Sequence, residues 1–561
     1  MRKILTILLL AVSLSAGATR YYIATTGTDG AGVNGSIGTP WLTLAYACTR
    51  ATTAGDTIMV GAGTFTETEQ IELAVGVSIV GVGATSIIKA GGIFRPLIKL
   101  ASALEGTNGN QSISYIKFEG DNLTNSIIEI YARSNVSIHN CEFYNSVKDG
   151  VLFYSKVNRG EGLITTYSEN NKFYNNYVYN CSHFGAYEGE WNTNHYGVGI
   201  GGQKNMLIYG NTIIQPDRGM DAEGVCIGFT GWGQNCGTKI YNNILETTPR
   251  KGASSPTYGW GFAIELWTQR GGVEVYNNDI KGAIDFGGYD SNDDEGYGYA
   301  IKIYGNRIGF SSVSQYTSWG ILLENGIQGG VYIYRNIIEN ASHGITLHVL
   351  ETALVKTIEN INVYYNIFRN IRNDGADPPY GFGMKIYSSV VSPFTNLNIY
   401  NNLFYTDAIG YFYSILQCND TVTSFSNINF KNNIGIYINQ PIRITTGTIN
   451  SINIENNDMF NCSATLWNFT GCVVTNDVIQ NNITTDPLFV SSTDFHLQST
   501  SPCRDAGIDV SAITGGKDFH GASLYGAAYD IGAFEYGVGR LMRINDTILP
   551  TINYKVVLID H

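Results

Sequence analysis

Short stretches in which apolar and polar residues alternate recur along most of the chain, and each leads into an asparagine. The clearest copy, residues 331–338, reads Val-Tyr-Ile-Tyr-Arg-Asn-Ile-Ile. Alternation with a period of two predicts a strand with one buried face rather than a helix. The asparagine recurs at intervals of 24 to 36 residues, at Asn211, Asn243, Asn278, Asn306, Asn336, Asn366, Asn402, Asn433 and Asn457. A strand pattern at this spacing predicts one supersecondary unit stacked on copies of itself.

Each repeat contains more than one strand. A second alternating pattern opens with glycine between consecutive asparagines, as in residues 261–265, 320–324, 344–348 and 381–385. The apolar residue after each asparagine predicts the start of a third strand. We therefore expect an all-β, three-sheet solenoid of parallel coils. The asparagines lie where the chain turns between two sheets, and stacked amides at that turn would form a hydrogen-bonded ladder.

The N-terminal region carries two further signals. Residues 1–18 predict a secretory signal peptide, because Arg2 and Lys3 precede an apolar run and a small-residue cleavage site. The alternative is a transmembrane anchor, but the run is too short to span a bilayer. We expect a secreted, periplasmic or cell-surface protein without a transmembrane segment. Residues 42–51 predict a short amphipathic helix that covers the open end of the solenoid.

Both terminal regions resemble one group of proteins. The N-terminal motifs are Tyr-Tyr-Ile at 21–23, Gly-Thr-Pro-Trp-Leu-Thr-Leu at 38–44, Ala-Gly-Asp-Thr-Ile at 54–58 and Gly-Thr-Phe-Thr-Glu at 63–67. The C-terminal motifs are Asp-Pro-Leu-Phe-Val at 486–490, Asp-Phe-His-Leu at 494–497 and Asp-Ile-Gly-Ala-Phe-Glu at 530–535. They resemble segments of secreted proteins with the pectate-lyase-like right-handed parallel β-helix. The group includes pectate, alginate and other polysaccharide lyases, glycoside hydrolases, adhesins and phage tail proteins, so the resemblance implies the fold more narrowly than the activity.

Together these features predict five segments. They are a signal peptide at 1–18, an N-terminal cap at 19–70, a parallel β-helix at 71–485, a closing segment at 486–537 and a tail with two strand patterns at 538–561.

The composition limits the classes of molecule that the chain is expected to bind. Charged residues make up 14% of the chain and the net charge is −13. Such a chain is a poor partner for nucleic acid, whereas a local basic site or a bound cation still allows an anionic polysaccharide. Among the nine cysteines, Cys226 with Cys236 and Cys462 with Cys472 are close enough to pair in an oxidising compartment. The alternative is that they are buried thiols.

Long polar insertions lie on both sides of the glycine strands. They precede the strand at 183–196, 247–260, 286–299, 310–319 and 373–380, and follow it at 350–360 and 388–396. Loops on both sides leave a trough along one sheet, which suits an extended polysaccharide. Exposed aromatic rings there would stack on sugars, whereas the alternative is that they pack the loops down. The tryptophans in or beside the predicted trough are Trp191, Trp232, Trp260, Trp267 and Trp319.

The fifth residue of each glycine strand points away from the core, because the second and fourth residues are apolar. In successive coils this residue is Glu265, Asp285, Glu324, His348, Lys385, Ser414 and Arg443. We expect one outward line with a spacing of about 4.8 Å per coil. Acids so close together favour a bound Ca²⁺ held by Glu265, Asp285 and Glu324. A shared proton, or pairing with His348 and Lys385, would relieve the same repulsion.

One mechanism uses this mixture of residues. Uronic-acid polymers are cleaved by β-elimination, in which a cation neutralises the sugar carboxylate and a base removes the acidified C5 proton. We predict Lys385 as the base and His348 as the alternative base, with Glu324 beside them. Arg443 would bind a substrate carboxylate. The resemblance implies the same, since lyases with this fold use Lys or Arg together with Ca²⁺ in the trough.

Two other functions remain open. In a glycoside hydrolase, Glu265 and Asp285, one coil apart, would form a retaining pair, whereas Glu265 and Glu324, two coils apart, would form an inverting pair. In a non-catalytic adhesin or phage tail fibre, the charged line would be a solvated surface that binds carbohydrate.

Overall fold

The computed structural model describes most of the chain between residues 18 and 537. The described ranges are 18–155, 164–181, 195–216, 224–229, 233–247, 250–252, 255–287, 301–311, 318–324, 330–349, 358–372, 380–388, 393–407, 411–419, 424–523 and 526–537. The predicted signal peptide, apart from Ala18, and the predicted tail lie outside these ranges.

Three long parallel sheets run side by side, and the chain visits them in the same order in every coil. Sheet 1 precedes the asparagine, sheet 2 follows it, and sheet 3 contains the glycine strands. This architecture is a right-handed parallel β-helix, which confirms the predicted fold. No helix in the described ranges is long and apolar enough to cross a membrane.

The sheets contain 16, 14 and 14 strands. The strands of sheet 1 are Arg20–Ile23, Thr57–Val60, Ser78–Val80, Thr107–Ser114, Arg133–His139, Lys172–Tyr174, Leu207–Tyr209, Lys239–Tyr241, Glu274–Tyr276, Ile301–Tyr304, Val331–Tyr334, Ile358–Tyr364, Pro393–Tyr400, Ser424–Lys431, Thr448–Glu455 and Val473–Gln480. The strands of sheet 2 are Gly63–Glu67, Ser86–Ala90, Lys117–Glu119, Glu142–Tyr144, Tyr177–Tyr179, Thr212–Ile214, Ile244–Glu246, Asp279–Lys281, Arg307–Gly309, Ile337–Glu339, Ile367–Arg369, Leu403–Tyr405, Ile434–Ile436 and Asp458–Phe460. The strands of sheet 3 are Ile71–Glu72, Ile98–Ala101, Ser126–Tyr131, Asp149–Tyr154, His195–Ile200, Gly224–Phe229, Phe262–Trp267, Ala283–Gly287, Trp319–Glu324, His343–Val349, Gly381–Ser388, Phe412–Cys418, Ile442–Ile444 and Trp467–Asn468.

Two small sheets accompany the coils. Ser168–Glu169 pairs in parallel with Gln203–Lys204, and Arg250–Gly252 pairs antiparallel with Ser255–Trp260. Apolar side chains from all three long sheets fill the interior as one continuous core.

The asparagine turn forms the predicted ladder. From Asn211 onwards, each side-chain oxygen accepts from the backbone N–H and the side-chain amide of the asparagine one coil earlier, and the amide bonds are 2.8–3.2 Å long. The ladder extends one coil beyond the predicted set at each end, from Asn176 to Asn482, and all its members except Asn482 are buried. Buried amides that satisfy one another add a specific register to the apolar core.

A second ladder runs along the outer face of sheet 1. Its members lie opposite one another, and their rings stack with centroids 4.8–5.0 Å apart and interplanar angles of 1–6°. They are Tyr174, Tyr209, Tyr241, Tyr276, Tyr304, Tyr334 and Tyr364. Both ladders place like residues directly above one another.

The predicted N-terminal helix is present as Leu44–Arg50. The Thr43 hydroxyl caps it by accepting from Tyr46 N, and the buried Glu67 carboxylate accepts from the backbone N–H groups of Leu44 and Ala45. Apolar helix residues join the main core beside the first coils. Burial raises the pKa of Glu67 above its ordinary value.

The C-terminal segment lies on the flank of the solenoid rather than across its end. Its apolar side chains pack on the outer face of sheet 2 and form a second core with Ile367, Leu403 and Ile434. Asn401 and Asn456 donate from their side chains to Asp530 O and Ala506 O, which joins the segment to successive coils. A short helix, Ser511–Thr514, lies within it.

All nine cysteines lie within the described ranges, and none of them is in a disulfide bond. Cys226 is buried and contacts the carbonyl oxygens of Ile213 and Glu246. Cys472 contacts the carbonyl oxygens of Ile444 and Thr446. The alternative to disulfide pairing, buried or half-buried thiols, is therefore the one observed.

Candidate functional site

The outward face of sheet 3 carries the candidate site, but its residues lie in two columns rather than one. Column 1 consists of the strand partners Glu265, Asp285, Leu322, Thr346, Lys385, Gln417 and Arg443. Column 2, two residues further along each strand, consists of Trp267, Gly287, Glu324, His348 and Tyr387. The prediction of a single line is therefore wrong.

The reason is that the leading glycine does not mark a constant register. Phe382 lies opposite His343 and Met384 opposite Ile345, so Gly383, not Gly381, is beside Gly344. Counting five residues from Gly381 therefore ends two residues early, at Lys385. A second irregularity means that Ser414 is not on the outward face. Ser414 is fully buried, and its hydroxyl donates to Leu416 O.

Column 1 begins with two adjacent acids. Glu265 and Asp285 are direct partners on neighbouring strands, and their side chains are almost fully buried, with residue exposures of 4% and 1%. Both point away from the core, because their neighbours along the strand are core residues. Trp267 Nε1 donates to Asp285 Oδ2 over 2.9 Å, and the Trp267 ring stacks on Phe229 with centroids 5.9 Å apart.

Column 2 contains an acid–imidazole pair. Glu324 and His348 are direct partners, and Glu324 Oε1 lies 3.0 Å from His348 Nδ1. Their side chains are 13% and 24% exposed, so solvent reaches the pair at the outer face of sheet 3. A carboxylate on Nδ1 selects the tautomer that carries its proton there, which leaves Nε2 with a lone pair. In the described part of the chain, Nε2 has no hydrogen-bond partner.

One coil further on, Tyr387 and Lys385 complete the cluster. Tyr387 is the strand partner of His348, and their ring centroids are 5.5 Å apart. Lys385 Nζ donates to the Tyr387 hydroxyl. It also lies 4.6 Å from the Phe382 ring centroid and 4.0 Å from that of Tyr387, and both contacts favour the ammonium form.

A second histidine lies beneath this cluster. His343 is buried, and its Nδ1 lies 3.4 Å from the Thr346 hydroxyl. Burial, together with the nearby Lys385 and His348, lowers the pKa of His343 well below its ordinary value. His343 is therefore neutral at physiological pH.

Column 1 continues into a polar stretch. Gln417 is 2% exposed, and its Oε1 has no hydrogen-bond partner among the residues that the structure describes. The next residue in the column, Arg443, is half-buried. Two cationic side chains thus lie two coils apart, about 10 Å along the solenoid axis.

The predicted tryptophans have different surroundings. Trp319 is 7% exposed and stacks on Phe262 with centroids 6.0 Å apart, so it packs within the fold and its predicted role in stacking on sugar is wrong. Trp267 is half-buried and borders the acidic pair. Trp191, Trp232 and the side chain of Trp260 lie outside the described parts of the chain.

The calcium prediction requires three carboxylates at one point, and these three do not meet there. Glu324 belongs to the other column, two coils from Glu265, and is bonded to His348. Within the described ranges, no group of three or more His, Cys, Asp or Glu residues could hold a metal ion. Calcium binding stays a prediction.

Sequence reasoning missed Tyr387, Gln417 and His343. Tyr387 is the fifth residue counted from Gly383, so aligning the second glycine of Gly-Phe-Gly with Gly344 finds it. Gln417 and His343 are ordinary polar residues in the sequence, and only the register of the strands places Gln417 opposite Lys385 and His343 opposite Phe382.

No protein-family model and no curated protein sequence matches the chain. Several solved protein structures do match it. The A-module of mannuronan C-5 epimerase AlgE4 from Azotobacter vinelandii matches with 14% identity and a TM-score of 0.38, over 68% of this chain and 92% of that one. Pectate lyase Pel9A matches with 15% identity and a TM-score of 0.26, over 92% and 96%. A tailspike protein mutant of E. coli bacteriophage HK620, in complex with a pentasaccharide, matches with 9% identity and a TM-score of 0.37, over 82% and 79%. At these identities and TM-scores the matches say nothing about the activity of this chain.

Proposed function

We propose that this protein is a secreted polysaccharide lyase that cleaves a uronic-acid-containing polymer by β-elimination in the trough along sheet 3. The observation that supports this most directly is the cluster of Glu324, His348, Tyr387 and Lys385 on three successive strands. It combines an oriented imidazole, a hydroxyl and a cation, and β-elimination needs a base, an acid and a neutralising charge.

His348 is the general base in this proposal. Glu324 is its positioning residue, because its bond to Nδ1 orients Nε2 towards the trough and stabilises the imidazolium that forms. Lys385, the base predicted from the sequence, suits a different role. Its contacts with two aromatic rings and the Tyr387 hydroxyl favour a charged ammonium, which cannot accept a proton.

Lys385 and Arg443 bind acidic groups of the polymer in this proposal. Two cations about 10 Å apart match carboxylates on alternate sugars of an extended chain that runs parallel to the solenoid axis. Lys385 neutralises the carboxylate of the sugar that reacts, which makes its C5 proton acidic. Arg443 binds a carboxylate two coils away and fixes the position of the chain.

The proposed elimination moves one proton from the sugar to the enzyme and one from the enzyme to the leaving sugar. His348 Nε2 takes the C5 proton, the electron pair forms the C4=C5 double bond, and the C4–O4 glycosidic bond breaks. The Tyr387 hydroxyl gives its proton to the glycosidic oxygen, which stays on C1 of the leaving sugar. The imidazolium afterwards returns its proton, through solvent, to the tyrosinate. Both ends of the cut polymer are accounted for, one as an unsaturated uronate and the other as a new reducing end with a hemiacetal hydroxyl.

The test is a screen of alginate, pectate and neutral polysaccharides for unsaturated products, which absorb in the ultraviolet. We expect activity on one of the uronic-acid polymers and none on neutral ones. His348→Asn should lower kcat by about 10²–10⁴-fold. His139→Asn is the matched control, because His139 stacks on Tyr174 at the outer face of sheet 1, away from the trough. Full activity in His348→Asn would contradict the proposal. A chelator tests the calcium prediction separately.

A glycoside hydrolase is the second candidate, and the adjacency of Glu265 and Asp285 favours it. Strand partners are about 4.8 Å apart at the backbone, close to the carboxyl separation of about 5–5.5 Å in retaining enzymes. New reducing ends without ultraviolet absorbance, lost in Glu265→Gln but not in His348→Asn, would favour this function. Retention of a polysaccharide whose length does not change would favour the binding protein.

A further inference from the structure

The C-terminal segment contains a second cluster of ionisable side chains, far from the trough. His496 Nε2 and His520 Nε2 are 3.3 Å apart, and the two ring planes are within 14° of parallel. The histidines are 24 residues apart in the sequence. They join two stretches of the segment that packs against sheet 2.

The distance between these nitrogens is that of a pair of metal ligands. Zinc binds imidazole nitrogen at about 2.0–2.1 Å in tetrahedral geometry, so two such ligands lie about 3.3–3.4 Å apart. The same distance also accommodates one shared proton, with one nitrogen donating and the other accepting. In either arrangement at least one Nε2 presents a lone pair to the space between the rings.

The surroundings of the pair resemble the support that metal-binding histidines have in proteins. Asp494 Oδ1 is bonded to His496 Nδ1, and a carboxylate on the far nitrogen fixes the tautomer and strengthens the ligand. The Phe534 ring lies 4.4 Å from that of His496 and 5.1 Å from that of His520, and limits their rotation. The His496 side chain is 22% exposed, so water can complete the coordination.

Acidic and basic side chains both lie near the pair. Asp494 is bonded to His496, and the Oδ1 of the buried Asp518 accepts from His520 N. Arg335 is the opposing charge, and its Nε donates to Asp518 O. Because that guanidinium is bonded to a backbone carbonyl, its donor group points at Asp518 rather than at the imidazoles.

We propose that His496 and His520 bind one divalent transition-metal ion, such as Zn²⁺, Ni²⁺ or Cu²⁺, through both Nε2 atoms, with water in the remaining positions. The metal replaces the shared proton and cross-links residues 494–497 to residues 518–520. It stabilises the folded chain, because the unfolded chain does not hold the two histidines together. The site is independent of the catalytic proposal, since none of its residues faces the trough.

The test uses the full chain, freed of metal with a chelator and then dialysed. Titration with Zn²⁺ or Ni²⁺ near neutral pH should saturate at this site with one ion per chain and raise the Tm by a few degrees. His520→Gln should abolish both effects. Asp494→Asn keeps both ligands and should weaken binding by about 10–100-fold. His139→Gln is the matched control and should bind as the unchanged protein does.

A spectroscopic readout keeps the proposal falsifiable if His520→Gln fails to fold. Cu²⁺ added to the unchanged protein should give an electron paramagnetic resonance spectrum with hyperfine coupling to two imidazole nitrogens. Coupling to fewer than two nitrogens would overturn the proposal. So would the absence of a metal-dependent Tm shift, or a shift that persists in a folded His520→Gln variant.

Discussion

The asparagine turn and the trough are built on the same strand spacing but use it in opposite ways. At the turn, ten buried asparagines, from Asn176 to Asn457, stand above one another and satisfy each other's amide groups. In the trough, the same register brings together unlike residues such as Glu324, His348 and Lys385. Like residues in a column define the register, whereas unlike residues in a column allow chemistry. The difference can be tested by substitution in each region.

The largest effect should follow from breaking the buried ladder. Asn336→Ala removes the acceptor for Asn306 N and Nδ2 and the donor to Ile303 O and Asn366 Oδ1. Because these groups lie out of contact with water, we expect a loss of about 3–5 kcal/mol in the free energy of unfolding. Chemical denaturation followed by circular dichroism measures it.

The control for that substitution is an asparagine whose side-chain hydrogen bond lies closer to solvent. Asn453 donates to Asn429 Oδ1 on the outer face of sheet 1 and is only half-buried. Asn453→Ala should cost less than about 1 kcal/mol, since water replaces the lost bond. Equal losses at Asn336 and Asn453 would show that burial is not what gives the inner ladder its importance.

A smaller effect should come from an acid that follows four apolar residues in its column, Ile337, Ile367, Leu403 and Ile434. Asp458 lies opposite Ile434 under the C-terminal segment, and burial raises its pKa to about 7. The folded chain therefore binds a proton that the unfolded chain releases near pH 4. Its contribution to stability is complete below about pH 4 and is lost as the pH rises towards 7.

Asp458→Asn should remove that part of the pH dependence. We expect the difference in Tm between the unchanged protein and the variant to grow between about pH 4 and 7, by an amount equivalent to about 2–3 kcal/mol. Glu535, whose pKa burial raises to about 8, should cause its own decline in both proteins, from about pH 4.5 up to about pH 8. Parallel Tm curves over pH 4–7 would exclude the role of Asp458.

In the trough, Glu324→Gln should separate positioning from stability. The amide keeps the size of the side chain but cannot stabilise an imidazolium, so kcat should fall by about 10–100-fold while KM stays the same. This equals about 1.4–2.8 kcal/mol in the activation barrier. The Tm should change little, because the pair is partly exposed. A rise in KM alone would assign Glu324 to substrate binding instead.

The smallest effect should be in the tyrosine stack. Tyr304→Phe keeps the ring between Tyr276 and Tyr334 and removes only the hydroxyl that donates to Glu274. We expect a loss of less than about 1 kcal/mol, because the bond lies at the surface of sheet 1. Tyr304→Ala interrupts the stack and should cost clearly more in the same denaturation experiment.

Periodicity made the fold predictable, and its interruption limited the prediction of the site. The asparagines and the alternating strands repeat with little variation, so three sheets, a ladder and a parallel solenoid could all be predicted. The glycine strands differ by two residues in where the register begins, as Gly381 and Gly383 show. A count along the sequence therefore merged two columns into one and left out Tyr387.

Contacts that do not repeat could not be inferred from the sequence. Nothing in the pattern places His496 beside His520, because the C-terminal segment has no internal period. The burial of a side chain could not be read from the sequence either, since Trp319 and Trp267 each lie within two residues of a glycine strand, yet one is buried and the other borders Asp285. Both outcomes depend on how irregular segments pack, which is a property of the whole fold.

The inner ladder also limits how this protein can change in length. Asn306, Asn336 and Asn366 offer the same hydrogen-bonding edge, so excising residues 307–336 would bring two equivalent edges together. Excising half as many residues would place a ladder asparagine opposite a strand residue of the next coil. Deletions and duplications are thus tolerated only as whole turns, and the groove lengthens or shortens in steps of about 4.8 Å. Loss of that one turn would remove Glu324 and leave the remaining architecture continuous.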